Sequence, residues 1–308
     1  MREMLMRYPV LCPDFYINVP KTGKLASGGN RPVRISSKLL QTRLYPVGPL
    51  ARRMKDLLMR LADAVRDAVA GFKGDFHTEV GTGAYGLPTS AIDRAAEKAV
   101  LGELENRGER LNVLSEEAGF IDRGGDLTLV LDPVDGTHNA ERGVPFFATS
   151  MAVGRGSMAG VTHGLVRNLV SGSNFYGSKG EGAFLDGKRI HVRKLDEHDT
   201  LFSVYIGTNA HESAYRVASR GRRARSLGAA SLDMCLVASG ATDLYYMNSK
   251  AARAELRVVD IAAGALILRE AGGEVVDMSL RRLDMPFDTK TTSNLIAYGD
   301  AEVLELIR

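Results

Sequence analysis

Leu129-Val130-Leu131-Asp132-Pro133-Val134-Asp135-Gly136-Thr137 decides how this chain is read. The first half is an apolar, β-branched run, the pattern of a buried strand. The second half delivers two carboxylates, a glycine and a hydroxyl into a tight turn at the strand's C-terminal end. Pro133 stiffens the bend between Asp132 and Asp135, so both carboxylates and the Val134 carbonyl can converge on hard cations. Gly136 and Thr137 then offer backbone N–H groups to an anion. Taken alone, the same residues also describe a strand ending in an ordinary Asp-Gly turn.

The bulk properties narrow the field. A chain of 308 residues fits one large domain or two smaller ones, and its 44% apolar and 25% charged residues are those of a soluble globular protein. Two cysteines, Cys12 and Cys235, cannot make a disulfide framework, so a reducing, cytoplasmic setting is expected. Cys235 sits in the run Met234-Cys235-Leu236-Val237 and reads as a small buried hydrophobe. No apolar run reaches membrane-spanning length, and charges with Pro9 interrupt any leader-like segment near the N-terminus. The net charge of +3 is unevenly spread, because residues 1–53 hold ten Lys/Arg against two Asp/Glu. The remainder is acidic, which excludes the basic face of a nucleic-acid binder.

Residues 1–49 mix Pro, Gly, Ser and cations without periodicity and read as a poorly ordered basic extension. Helical spacing begins with Met54, Leu57, Leu58, Leu61, Val65, Ala68 and Val69 and stops at Gly71, a core stripe rather than a cofactor box. Gly81-Thr82-Gly83-Ala84-Tyr85-Gly86 matches a dinucleotide-binding fingerprint, but Pro88 delays the next helix to about Ser90. A Gly-rich loop beside a site is the expectation there. Thr89 or Ser90 caps the second helix, with Asp93 in its first turn, where the helix dipole alone would favour a carboxylate. A short strand at Leu111–Leu114 runs into Ser115-Glu116-Glu117, and strands dominate from Thr149 to a hairpin at Asp186-Gly187. A unit of alternating strands and helices starts at Leu201. The expected organisation is therefore an N-terminal α+β subdomain over 50–195 and a C-terminal α/β subdomain over 196–308.

Asp93, Glu116, Asp132, Asp135 and Asp260 all follow strands or open helices. Asp260 would equally serve as an N-cap for Ile261-Ala262-Ala263-Gly264. Carboxylates with few competing His or Cys suit Mg²⁺ or Mn²⁺ better than Zn²⁺. The six histidines have no i, i+4 pair and read as surface or packing residues.

With these pieces together, the chain from about Met54 onward resembles the inositol monophosphatase and fructose-1,6-bisphosphatase superfamily of metal-dependent, lithium-sensitive phosphomonoesterases. The resemblance is carried by Pro88-Thr89-Ser90-Ala91-Ile92-Asp93, Ser115-Glu116-Glu117, Leu131 to Thr137, Arg225-Ser226-Leu227-Gly228-Ala229-Ala230, and Val258-Val259-Asp260-Ile261-Ala262-Ala263-Gly264 with Glu270-Ala271-Gly272-Gly273, in matching order and spacing. The wording Arg257-Val258-Val259-Asp260 looks like the archaeal dual-specificity branch. The resemblance implies a layered α-β-α-β-α fold of the α/β (α+β) class, usually a homodimer, acting on a small phosphorylated substrate. It implies two or three Mg²⁺: one on Glu116, Asp132 and the Val134 carbonyl, a second on Asp132, Asp135 and Asp260, a third on Glu116 and Asp93, partly through water. Asp93 with Thr137 would activate the attacking water, Glu116 would join them as a catalytic residue, and Gly136 with Thr137 would bind phosphate.

Two departures bear on substrate. Relatives often read Ala-Asp-Gly where this chain has Ala84-Tyr85-Gly86, which removes any help with a third metal from that Asp. Met247 follows Tyr245-Tyr246 where inositol-preferring members carry Glu, and the longer segment to Asp260 carries Lys250, Arg253 and Arg257, either a solvated loop or cations for a second phosphate. The substrate pocket is thus expected at Gly228, Ala229, Met247, Lys250, Arg253 and Arg257. Fructose-1,6-bisphosphate and inositol-1-phosphate are the expected substrates. A 3′-phosphoadenosine 5′-phosphate phosphatase shares the metal motifs and is the alternative, with a nucleotide-binding oxidoreductase more distant.

Overall fold

Apolar residues at helical spacing form the first element, and alternation or continuous burial forms those that follow. The structure, a computed structural model, describes residues 49–84, 86, 88–251 and 255–308. The expected basic extension and Arg253 lie outside the described residues. In chain order the elements are α1 (Pro49–Gly71), β1 (Glu79–Thr82), β2 (Pro88–Ser90), α2 (Ala91–Asn106), β3 (Asn112–Ser115), β4 (Gly119–Ile121), β5 (Thr128–Asp135) and α3 (Thr137–Arg142). Then come β6 (Ala148–Gly154), β7 (His163–Asn168), β8 (Asn174–Ser178), β9 (Gly182–Leu185), β10 (Lys188–Ile190), β11 (Leu201–Val204), α4 (Glu212–Arg220) and β12 (Arg223–Arg225). The chain closes with α5 (Ala230–Ala238), β13 (Leu244–Met247), β14 (Leu256–Arg257), α6 (Val258–Glu270), β15 (Glu274–Val276), β16 (Thr292–Ser293), β17 (Leu295–Tyr298) and α7 (Val303–Leu306).

Two sheets organise these elements. The larger has eight strands in the order β10-β9-β8-β7-β6-β5-β3-β4, antiparallel except for the parallel pair β3 and β5. The smaller runs β12-β11-β13-β17-β15, parallel on one side of β13 and antiparallel on the other. Helices α1 and α2 pack together over the large sheet. The stripe Leu57, Leu58, Leu61, Val65 and Val69 is buried there, and Arg167 of β7, itself buried, ties α1 down through Asp63 at 2.6 Å. Helices α5 and α6 lie between the sheets and are buried along almost their whole length, mostly apolar, as a helix enclosed by two layers must be. Close approach of α6 needs Gly164 on β7, where a Cβ would stand 3.0 Å from the Ala263 carbonyl oxygen. Helices α4 and α7 pack Val217 and Val303 against Phe202, Val204 and Ile296 of the small sheet. The result is the expected α-β-α-β-α layering. Residues Gly48–Arg308 cluster as one compact unit, and the charged stretch at 193–199, expected as a boundary, connects the two sheets.

The Gly-rich run closes the β1–β2 hairpin instead of opening a helix, so the fingerprint lacks the helix N-terminus on which a pyrophosphate would sit. Ala84 N–H donates to the Glu116 and Glu117 carbonyls, which holds the loop beside the site.

Candidate active site

All eight residues of β5 are buried, and between Asp132 and Asp135 its register against β6 slips by one residue. Side chains alternate along a strand, so residues three apart would point to opposite faces of a regular one. The bulge corrects this. One extra residue around Pro133, which has no N–H to give the ladder, turns Asp135 toward the same side as Asp132. The chain then enters α3 through Gly136 at φ 85°, where a Cβ would meet the Gly228 carbonyl oxygen and the Ala229 Cβ at 3.1 Å. A side chain is excluded both by conformation and by space.

Four helices begin at this point. Asp93 stands in the first turn of α2, Asp260 in that of α6, Gly136 caps α3, and the Asp135 carboxylate accepts from Ala230 N–H (3.1 Å) and Ser231 N–H (2.7 Å) at the start of α5. The Ser231 hydroxyl donates to Asp135 as well. Helix N-termini favour negative charge, so the fold gathers partial positive charge where the sequence gathers carboxylates.

That compensation is incomplete. Glu116, Asp132 and Asp260 bring carboxylate oxygens within 4.8 Å of one another, and Asp132 Oδ1 is buried without a hydrogen-bond partner. Burial, followed by the repulsion of neighbouring carboxylates, pushes Glu116 and Asp132 well above the usual range. Burial raises Asp93 and Asp135 to about 7 each, although hydrogen bonds from Ser90 and Ser231 work against it. Asp260 is raised by burial too, with Arg257 opposing. A protein interior does not leave such charges uncompensated without a partner. An orphaned carboxylate oxygen facing two more, in an all-oxygen donor set, fits a hard divalent cation.

Beside this cluster, Thr137 Oγ1 lies 3.1 Å from Asp93 Oδ1 and 2.8 Å from the Val134 carbonyl. Asp93 is fixed from the other side by Ser90, whose hydroxyl donates at 2.6 Å. A hydroxyl, a carboxyl poised near neutrality and free N–H groups at the start of a helix can orient water and bind an anion.

Of the residues singled out from the sequence, the structure brings together Asp93, Glu116, Asp132, Val134, Asp135, Gly136, Thr137 and Asp260. Gly228 and the buried Ala229 lie against the Gly136 turn. The other described pocket candidates have three different settings. Met247 is 3% exposed and packed in the core, Lys250 is exposed, and Arg257 pairs with Glu116 at 2.8 Å. Asn139, Ser231 and Asp233 were not singled out. Asn139 Nδ2 donates to the Phe146 and Leu227 carbonyls at 2.7 Å each, pinning the Gly228 loop to α3. Buried Asp233 accepts from the Ser203 hydroxyl at 2.6 Å and from Gly228 and Ala229 N–H groups, and burial lifts it to about 7. Each has a partner in a distant segment, Leu227 for Asn139, Asp135 for Ser231 and Ser203 for Asp233, which no local pattern announces.

The chain belongs to the inositol monophosphatase family, whose model matches residues 51–306, and its class is that of phosphoric monoester hydrolases. It is 35% identical over 268 residues to the fructose-1,6-bisphosphatase/inositol-1-monophosphatase of Methanothermobacter thermautotrophicus, covering 82% of this chain and 94% of that protein. A bifunctional NADP phosphatase/NAD kinase of Methanococcus maripaludis is 32% identical over 241 residues, 71% of this chain and 42% of that one. Among solved structures, an inositol monophosphatase-fructose 1,6 bisphosphatase superposes with a TM-score of 0.73 at 28% identity, covering 82% of this chain and 97% of its own.

Proposed function

We propose that the chain is a Mg²⁺-dependent phosphatase, with Mn²⁺ as a substitute, which hydrolyses fructose-1,6-bisphosphate in preference to inositol-1-phosphate. The observation that carries the metal reading is the buried, unpartnered Asp132 Oδ1 among the oxygens of Glu116 and Asp260. Glu116, Asp132, Asp260 and the Val134 carbonyl would hold cations, with Asp135 and Asp93 at the margin. What the cations supply is neutralisation of phosphate charge and a lowered pKa for water.

The chain's own residues do the rest. Backbone N–H groups at Gly136 and Thr137 bind phosphate oxygens at the start of α3. Thr137 and Asp93 orient the attacking water, and the Asp93 carboxylate takes its proton. Asp135 holds the start of α5, and through it Gly228 and Ala229, against the phosphate turn.

The substrate preference rests on charge. Met247, packed in the core, presents no acceptor to a bound polyol. Lys250 and Arg253 supply cations for a second phosphate group through charge-assisted hydrogen bonds. A phosphatase panel of fructose-1,6-bisphosphate, inositol-1-phosphate, 3′-phosphoadenosine 5′-phosphate and NADP tests this reading. The last two are included because a relative named for NADP phosphatase keeps nucleotide phosphates in play. A higher kcat/KM for any competitor overturns the preference, and no Mg²⁺-dependent release from any of them overturns the phosphatase. A homodimer belongs to the same reading and is checked by light scattering.

A further inference from the structure

Arg257 ends β14, where it pairs with Thr292, and it is the N-cap of α6. Its backbone N–H donates to Asp260 Oδ2 at 2.7 Å. Its guanidinium turns the other way, to Glu116 Oε1 at 2.8 Å, with only 10% of the side chain exposed. One residue thus touches two of the three clustered carboxylates, one through backbone and one through side chain. Burial lifts both of those acids, and Arg257 is the cation that acts against it in each. A residue meant to greet a distant phosphate would be extended toward solvent. This one is turned inward onto a carboxylate.

A guanidinium on Glu116 partly does what a divalent cation would do there, with one positive charge instead of two, and it cannot diffuse away. The two compete for the same oxygens. We propose that Arg257 is a built-in counter-cation of the acidic cluster: it holds Glu116 until a divalent cation enters, and the cation must displace it. Arg257 therefore sets how much metal the enzyme demands. This rests on the metal reading of the site given above.

The consequences differ from those of a packing residue. Removing the charge leaves the carboxylates facing one another, so the metal-free protein loses stability while its affinity for Mg²⁺ rises. A residue that only packs would lower stability with and without metal and leave affinity unchanged. The test is calorimetric titration of the full chain with Mg²⁺ at pH 8.5, where protons compete less for the carboxylates, together with melting curves. Arg257→Gln should bind Mg²⁺ about tenfold more tightly, about 1.4 kcal/mol, melt lower without metal and gain more on adding it. Arg257→Lys, which keeps the charge but loses the planar fork, should bind about threefold more tightly. If the Gln variant does not fold, the Lys variant carries the test. Unchanged or weaker Mg²⁺ binding overturns the proposal, provided that Asp132→Asn abolishes binding. Undiminished binding by Asp132→Asn would instead overturn the metal centre itself.

Discussion

Thr137→Ala separates chemistry from architecture at this site. The hydroxyl faces Val134 O at 2.8 Å and Asp93 Oδ1 at 3.1 Å, but it has one proton and serves one acceptor at a time. Its loss therefore costs the fold about one hydrogen bond, about 1 kcal/mol, and lowers the melting temperature by about 2–4 °C. A group that positions proton transfer is worth far more to the rate, about 10²–10⁴-fold. In free energy that is about 3–5 kcal/mol of barrier. The hydrogen bond from Thr137 also pulls the Asp93 pKa down, so its removal raises the pKa of Asp93 in the metal-free protein. The assay is phosphate release from fructose-1,6-bisphosphate at saturating Mg²⁺, over a range of pH, beside calorimetric titration of Mg²⁺. The expected result is a rate loss of about a hundredfold or more with unchanged metal affinity, largely restored by Thr137→Ser. Equal losses of rate and metal affinity would refute the reasoning, since Thr137 would then be a structural support of the metal cluster.

Stability should also depend on pH in a definite sense. Asp93 is raised from 3.8 to about 7, so the folded metal-free protein keeps a proton that the unfolded chain has released, and stability falls as pH rises through that window. The slope is up to about 1.4 kcal/mol per pH unit for each such proton. Denaturation in chelator at pH 5.5 and pH 8 should find the protein weaker at pH 8, with Mg²⁺ reversing the trend. A flat profile would count against the buried acids. Asn139→Ala strips two carbonyls of their donor and should cost about 2 kcal/mol, raising KM more than kcat because the Gly228 loop loosens; an unchanged KM would contradict this. A chain shortened to begin at Gly48 should melt within about 2 °C of the full protein and hydrolyse substrate normally. A large loss of either would make the preceding residues part of the fold.

Much of this is legible in the sequence. The run Leu129–Leu131 read as a buried strand and is one, and Ser90 and Asp93 fell at the start of their helix as capping rules require. Those are local properties, written in neighbouring residues. What the sequence left hidden depends on long-range pairing. The bulge at Pro133 exists only relative to β6, and without it the three-residue spacing of Asp132 and Asp135 would have put them on opposite faces. Asp135 as the cap of α5 joins residues 95 apart, and Arg257 meets Glu116 across 141. Sequence alone makes Arg257 a loop residue or a cation for a second phosphate, because its charge is visible there and its partner is not.

The most direct test of the account is Asp132→Asn. Asp132 Oδ1 is buried without a partner, and its carboxylate is repelled by Glu116, Asp135 and Asp260. The substitution removes a charge the metal-free fold does not want and the chemistry cannot lose. Phosphate release across a Mg²⁺ titration, with melting temperature measured in chelator, should show turnover lost at every Mg²⁺ concentration while the metal-free protein melts at or above the wild-type temperature. Turnover near wild type would contradict the central claim.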